Sequence, residues 1–157
     1  MSRPSLFRPM LAGLILAGAS PATAQSHPLA GTWNLRYAAG TRIENGAPTV
    51  ITGTGKLIVE LQGDSLIARL IPDPIEGGPA RPESRMAALS GAGPVVFIQR
   101  GTARVNRNGE ENEVTSISTW TLEAKGDALE GTLERRLEGM ETPSRGPQPV
   151  TGTRVKP

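Results

Sequence analysis

Residues 118–137 contain two stretches of alternating side chains on either side of Gly126 and Asp127. A Gly-Asp pair suits a two-residue hairpin turn, whose twist matches that of paired strands. A turn of that length fixes the pairing, setting Ala124 opposite Leu129, Leu122 opposite Gly131 and Trp120 opposite Leu133. These residues share one face, and Thr121, Glu123, Glu130, Thr132 and Glu134 take the other, as a half-buried sheet requires.

The same test can be put to the rest of the chain. Gly63-Asp64 sets Leu61 opposite Leu66, Val59 opposite Ala68 and Leu57 opposite Leu70, a complete apolar row. Asn108-Gly109 is a strong hairpin signal, and it sets Val95 opposite Leu122, Phe97 opposite Trp120, Gln99 opposite Ser118 and Ala103 opposite Val114. Near the start, Leu29, Gly31, Trp33, Leu35 and Tyr37 alternate along a further strand. Asn45-Gly46 suggests a turn after it. A tight hairpin there would set Trp33 opposite Ile58 and Leu35 opposite Lys56, against the better apolar row Leu57, Val59, Leu61. A longer loop over 38–48, or a bulge near Gly53 or Gly55, is therefore expected.

Residues 72–84 are rich in proline and glycine and predict a loop, since proline removes ladder donors. A strand at 85–90, a turn at 91–94, strands at 95–105 and 113–122, a loop at 138–149 and a last strand at 150–155 complete the plan. No stretch beyond residue 24 carries a helical period. The expected architecture is an all-β, eight-stranded antiparallel up-and-down barrel, tight-turned at one end and loop-rich at the other. Eight strands close around filled space or one small ligand, and closure removes exposed edges.

Arg3 and Arg8 precede an apolar run, Met10 to Ala19, that ends in Ala22-Thr23-Ala24. Residues 1–24 read as a secretory signal peptide with Gln25 as the new N-terminus, and the run is too short to span a bilayer. A flexible arm, 25–28, and a single barrel domain, 29–157, follow. The expected location is periplasmic or secreted, and without a cysteine at the cleavage site no lipid anchor is expected.

Cleavage changes the charge argument. Removing Arg3 and Arg8 leaves fifteen basic residues against fifteen acidic ones, so the net charge of +2 belongs to the precursor and gives no support to nucleic-acid binding. The chain has no cysteine, which excludes disulfides, thiol chemistry and Cys-based metal sites. Beyond the signal the large aromatics are Trp33, Tyr37, Phe97 and Trp120. A core so short of bulk is either thin or encloses space.

Gly31-Thr32-Trp33 on the first strand, with Arg154 on the last, resembles the calycins, the lipocalin and avidin-like group of β-barrels. In lipocalins a late arginine packs across that tryptophan at the closed end, so the resemblance implies a structural pair, Trp33 and Arg154. It covers the strand plan of most of the chain but rests on few residues. The chain departs from the pattern in having no Thr-Asp-Tyr turn, no disulfide and no obvious terminal helices.

Extending the register places Val95, Leu122 and Gly131 in one inward row, Phe97, Trp120 and Leu133 in the next, and Gln99, Ser118 and Arg135 in a third. Polarity rises toward the loop-rich end, giving an apolar floor and a polar collar, the usual build of a small-ligand pocket. The candidate ligand-binding residues are Arg135, Ser118, Gln99, Trp120 and Phe97. An inward Arg135 needs a carboxylate or phosphate partner, from ligand or protein. The blander alternatives are that it reaches water or pairs with a loop glutamate, and that both tryptophans are core.

Catalytic signals are thin. His27, the one histidine, lies on the arm and is expected to be exposed and mobile, and Glu110, Glu111 and Glu113 flank a tight turn as a solvated cluster. No catalytic residue, metal site or cofactor is expected, and an enzyme ranks behind two other readings. The first is a lipocalin-like binding protein for a small, mainly apolar ligand with a polar or anionic end. The second is a protein partner's module, such as a periplasmic protease inhibitor acting through its N-terminal arm.

Overall fold

The turns that set the register in the sequence set it in the fold. The computed structural model describes residues 26–156 apart from 46, 79, 108 and 140–145, and of 42, 43, 48 and 105–107 it describes only the backbone. The signal-peptide expectation for 1–24 lies outside the described residues. Eight strands follow one another in the chain: β1 (Gly31–Glu44), β2 (Ala47–Gln62), β3 (Ser65–Pro72), β4 (Ser84–Leu89), β5 (Val95–Arg107), β6 (Glu110–Lys125), β7 (Ala128–Leu137) and β8 (Gln148–Arg154). They form one antiparallel sheet in the order β4-β3-β2-β1-β8-β7-β6-β5. The sheet curls into a nearly closed up-and-down barrel in which β4 and β5 approach each other without a ladder among the described residues.

Every pair read from the Gly63-Asp64, Asn108-Gly109 and Gly126-Asp127 turns is present, from Leu57–Leu70 through Phe97–Trp120 to Trp120–Leu133. Gly63 and Gly126 hold φ of 60° and 64°, which side chains resist and glycine does not.

The first hairpin corrects the expected loop over 38–48, where β1 and β2 instead run on as paired strands to Glu44 and Ala47. Asn45 opens their tight turn at φ 51°. A bulge reconciles that turn with the apolar row. Ala38 pairs with Thr52 and Gly40 with Ile51, so Ala39 is the extra residue and Trp33 meets Leu57 rather than Ile58. The bulge expected near Gly53 is present close to it, with its extra residue on β1, opposite the step from Ile51 to Thr52. Ala39 is small and packs against the core, which lets two successive β1 residues be accommodated without breaking the sheet.

Among the described residues seventeen hydrophobic ones form one buried cluster, and Trp33, Phe97, Leu57, Leu66 and Leu122 are entirely covered. Each large side chain contributes on the order of 1.5–3 kcal/mol by leaving water. The barrel is thus filled from its closed end up to the level of Phe97 and Trp120.

The closed end is knitted by Arg154. Its guanidinium lies with Cζ 4.1 Å from the Trp33 ring centroid and donates to the carbonyls of Ala30 and Pro28, each at 2.7 Å. Trp33 Nε1 donates to the Leu29 carbonyl at 2.9 Å. Gly31 leaves room for this clamp, since a Cβ there would stand 2.6 Å from Arg154 Nη1. The arm is consequently held. His27 is half-buried, its Nδ1 accepts from the Leu29 amide at 3.1 Å and its Nε2 faces the Gly91 carbonyl at 3.2 Å, so it is not the free side chain expected. Captured carbonyls on either side of Leu29 leave the segment little freedom.

Candidate functional site

At the other end the inward rows turn polar. Gln99, Ser118 and Arg135 stand side by side on β5, β6 and β7, joined by the register pairs Gln99–Ser118 and Ser118–Arg135. Ser118 is buried and Gln99 half-buried. Phe97 and Trp120 lie one inward step below and are fully covered, so they are the packed floor under this row.

Arg135 is open to solvent as a residue, yet burial is the main influence on its guanidinium and draws its pKa down from the ordinary arginine value. Both facts fit a side chain inside an open mouth, where water enters but the wall displaces much of the bulk shell. The Tyr37 phenol opposes that shift and the Arg81 guanidinium adds to it. No carboxylate contributes, and no hydrogen bond or ion pair holds Arg135 among the described residues.

Tyr37 and Arg81 were not among the candidate site residues in the sequence. Tyr37 comes from β1, just before the bulge, and its ring lies 5.2 Å from that of Trp120 at a 60° tilt, bridging the lumen. Arg81 comes from the loop between β3 and β4 and reaches inward, with Nη2 donating to the Tyr37 hydroxyl at 2.6 Å and Cζ 5.4 Å from the ring centroid. Burial raises the Tyr37 pKa above its ordinary value, and Arg81 works against the rise. Trp120 Nε1 is buried with no hydrogen-bond partner among the described residues, a cost of roughly 1–3 kcal/mol for a donor left unpaired.

The remaining residues sort by position. Trp33 and Arg154 belong to the opposite end and have no part in the mouth. Glu110, Glu111 and Glu113 are exposed, and among the described residues no group of three or more His, Asp or Glu side chains stands ready for a metal. A cleft of about 150 Å³ opens among β1, β2 and β8, with Tyr37 and Gln148 among its lining residues and none of Gln99, Ser118 and Arg135. The interaction-arm reading starts from a segment whose residues from His27 onward are tied to the closed end.

Comparison with known proteins adds no name: no protein-family model, curated protein sequence or solved structure matches this chain.

Proposed function

We propose that the protein is a secreted or periplasmic, lipocalin-like binding protein whose open end takes a small ligand with an apolar body and an anionic end. The reading is supported most by the row of Gln99, Ser118 and Arg135 above the covered Phe97 and Trp120, in which the Arg135 guanidinium has no acidic partner among the described residues. A cation in that setting gains most from an anion delivered to it, because the surrounding wall strengthens the attraction and the guanidinium offers a planar fork of donors. Ser118 and Gln99 stand beside it to orient the same group, with Phe97 and Trp120 as the floor. The strand plan and the Trp33–Arg154 clamp are in keeping with a lipocalin-like scaffold.

Native mass spectrometry of the protein purified from its own host tests this reading. A small-molecule adduct that is carried by the wild type and absent from Arg135→Ala supports it. A wild-type protein released only in unliganded form, with Arg135→Ala indistinguishable from it, overturns it.

A further inference from the structure

We infer that the anionic group received at the mouth is a carboxylate, held between Arg135 and Arg81 with the Tyr37 hydroxyl as a third donor, and that Gly53 is what lets Arg81 reach it. This rests on the small-ligand reading above and names its ligand class.

Arg81 sits in a loop from which it could extend to water, yet it points into the barrel. The loop is anchored at its start: the Asp73 amide donates to the Thr54 carbonyl at 2.9 Å, and Thr54 Oγ1 donates to Asp73 Oδ2 at 2.7 Å. Arg81 Nη1 reaches back to the Asp73 carbonyl at 3.4 Å, so the loop closes on itself with its guanidinium over Tyr37. The space it occupies exists because residue 53 has no side chain. A Cβ there would stand 2.9 Å from Arg81 Nη1, 3.3 Å from Nη2 and 2.7 Å from Ala39 Cβ. The β1 bulge brings Ala39 against the core, and the absence of a side chain at Gly53 leaves room both for Ala39 and for the Arg81 guanidinium.

The result is a surface of donors. Tyr37 oxygen already accepts from Arg81, which leaves its own proton to give. Arg135 brings its N–H groups, and no side-chain carboxylate pairs with either guanidinium among the described residues. Such a set lacks only an acceptor. The Asp73 carboxylate accepts from Thr54 Oγ1 and pairs with neither guanidinium among the described residues. A carboxylate has the two coplanar oxygens that fit a guanidinium edge, and its single charge costs less to carry into a partly desolvated mouth than that of a phosphate dianion.

Isothermal titration of the whole protein at pH 7 with octanoate, octyl phosphate and octanol tests the inference, with a thermal melt of each variant to show that it folds. Octanoate should bind tightest, about tenfold or more over octanol. Arg81→Gln and Arg135→Gln should each weaken octanoate about tenfold and leave octanol unchanged, Arg81→Lys should recover part of the loss, and Gly53→Ala should weaken octanoate severalfold. Equal binding of octanoate and octanol overturns the inference together with the anionic end of the reading beneath it, whereas an Arg81→Gln protein that binds octanoate like the wild type, with Arg135→Gln weakened, overturns the inference alone. A preference for octyl phosphate overturns the carboxylate assignment. Failure of all three probes to bind overturns both.

Discussion

Arg154 and Trp33, the last residue of β8 and the third of β1, face each other across the closed end as register partners and in van der Waals reach, guanidinium over indole at 4.1 Å. The guanidinium also satisfies two backbone carbonyls that the arm would otherwise turn to water. Arg154→Ala should therefore cost about 2–4 kcal/mol in urea denaturation followed by tryptophan fluorescence. Arg154→Lys should recover only part, since an ammonium cannot reach two carbonyls and cover the ring together. Asp127→Asn is the control. Its pair with Arg154 is long and exposed, so the change should stay below about 0.5 kcal/mol.

The two tryptophans make opposite predictions about their ring nitrogens. Trp33 Nε1 has a partner in the Leu29 carbonyl, and Trp120 Nε1 has none among the described residues. Replacing each by phenylalanine leaves a similar cavity, but only Trp33→Phe breaks a bond and strands a buried carbonyl. Trp33→Phe should be the more destabilising by about 1–2 kcal/mol, and equal losses in the two melts would contradict the assignment.

Gly131 and Gly101 separate close approach from mere absence of a side chain. A Cβ on Gly131 would collide with the Thr121 carbonyl oxygen of the neighbouring strand and stand 2.9 Å from Leu122 Cδ2, whereas one on Gly101 meets only Ser116 Oγ, at 3.5 Å. Gly131→Ala should lose about 3 kcal/mol or more, or fail to fold. Gly101→Ala should fold normally, with a Tm equal to or slightly above that of the wild type.

Tyr37 is the one tyrosine of the chain, so its phenolate absorbance titrates without interference. Burial raises its folded pKa, so the folded midpoint should lie above that of the protein unfolded in urea, expected at the ordinary tyrosine value of about 10. The folded state then holds the proton more tightly than the unfolded one. Its contribution to stability is complete below the unfolded pKa and is lost as pH climbs past it toward the folded pKa. Arg81→Gln removes a cation that lowers this pKa, so the folded midpoint should move further upward in that variant.

Much of this was readable from turns and alternation. Two glycine-aspartate turns and one asparagine-glycine turn pin their hairpins because a two-residue connection allows one register, and the apolar rows agree with it. The same register brought Gln99, Ser118 and Arg135 to one level. The first hairpin was half legible: a bulge near Gly53 was expected beside a longer loop, but its extra residue is Ala39 on the facing strand, which has no conformational signature. Arg81 left no trace either. It stands in a loop with no period, and its inward path depends on a gap at Gly53 that only the folded sheet reveals. Tyr37 was placed on the inner face, but its partner lies 44 residues away in a different kind of segment.

The same clamp that seals the barrel's base also decides how the molecule can be handled. The Val155 amide donates to the Thr32 carbonyl, and the arm is pinned beside it, so the described chain comes in and goes out on the side away from the Arg135 row. Tethered by either tail, to a surface, a reporter or another domain, the molecule would turn the Arg135 end away from the attachment.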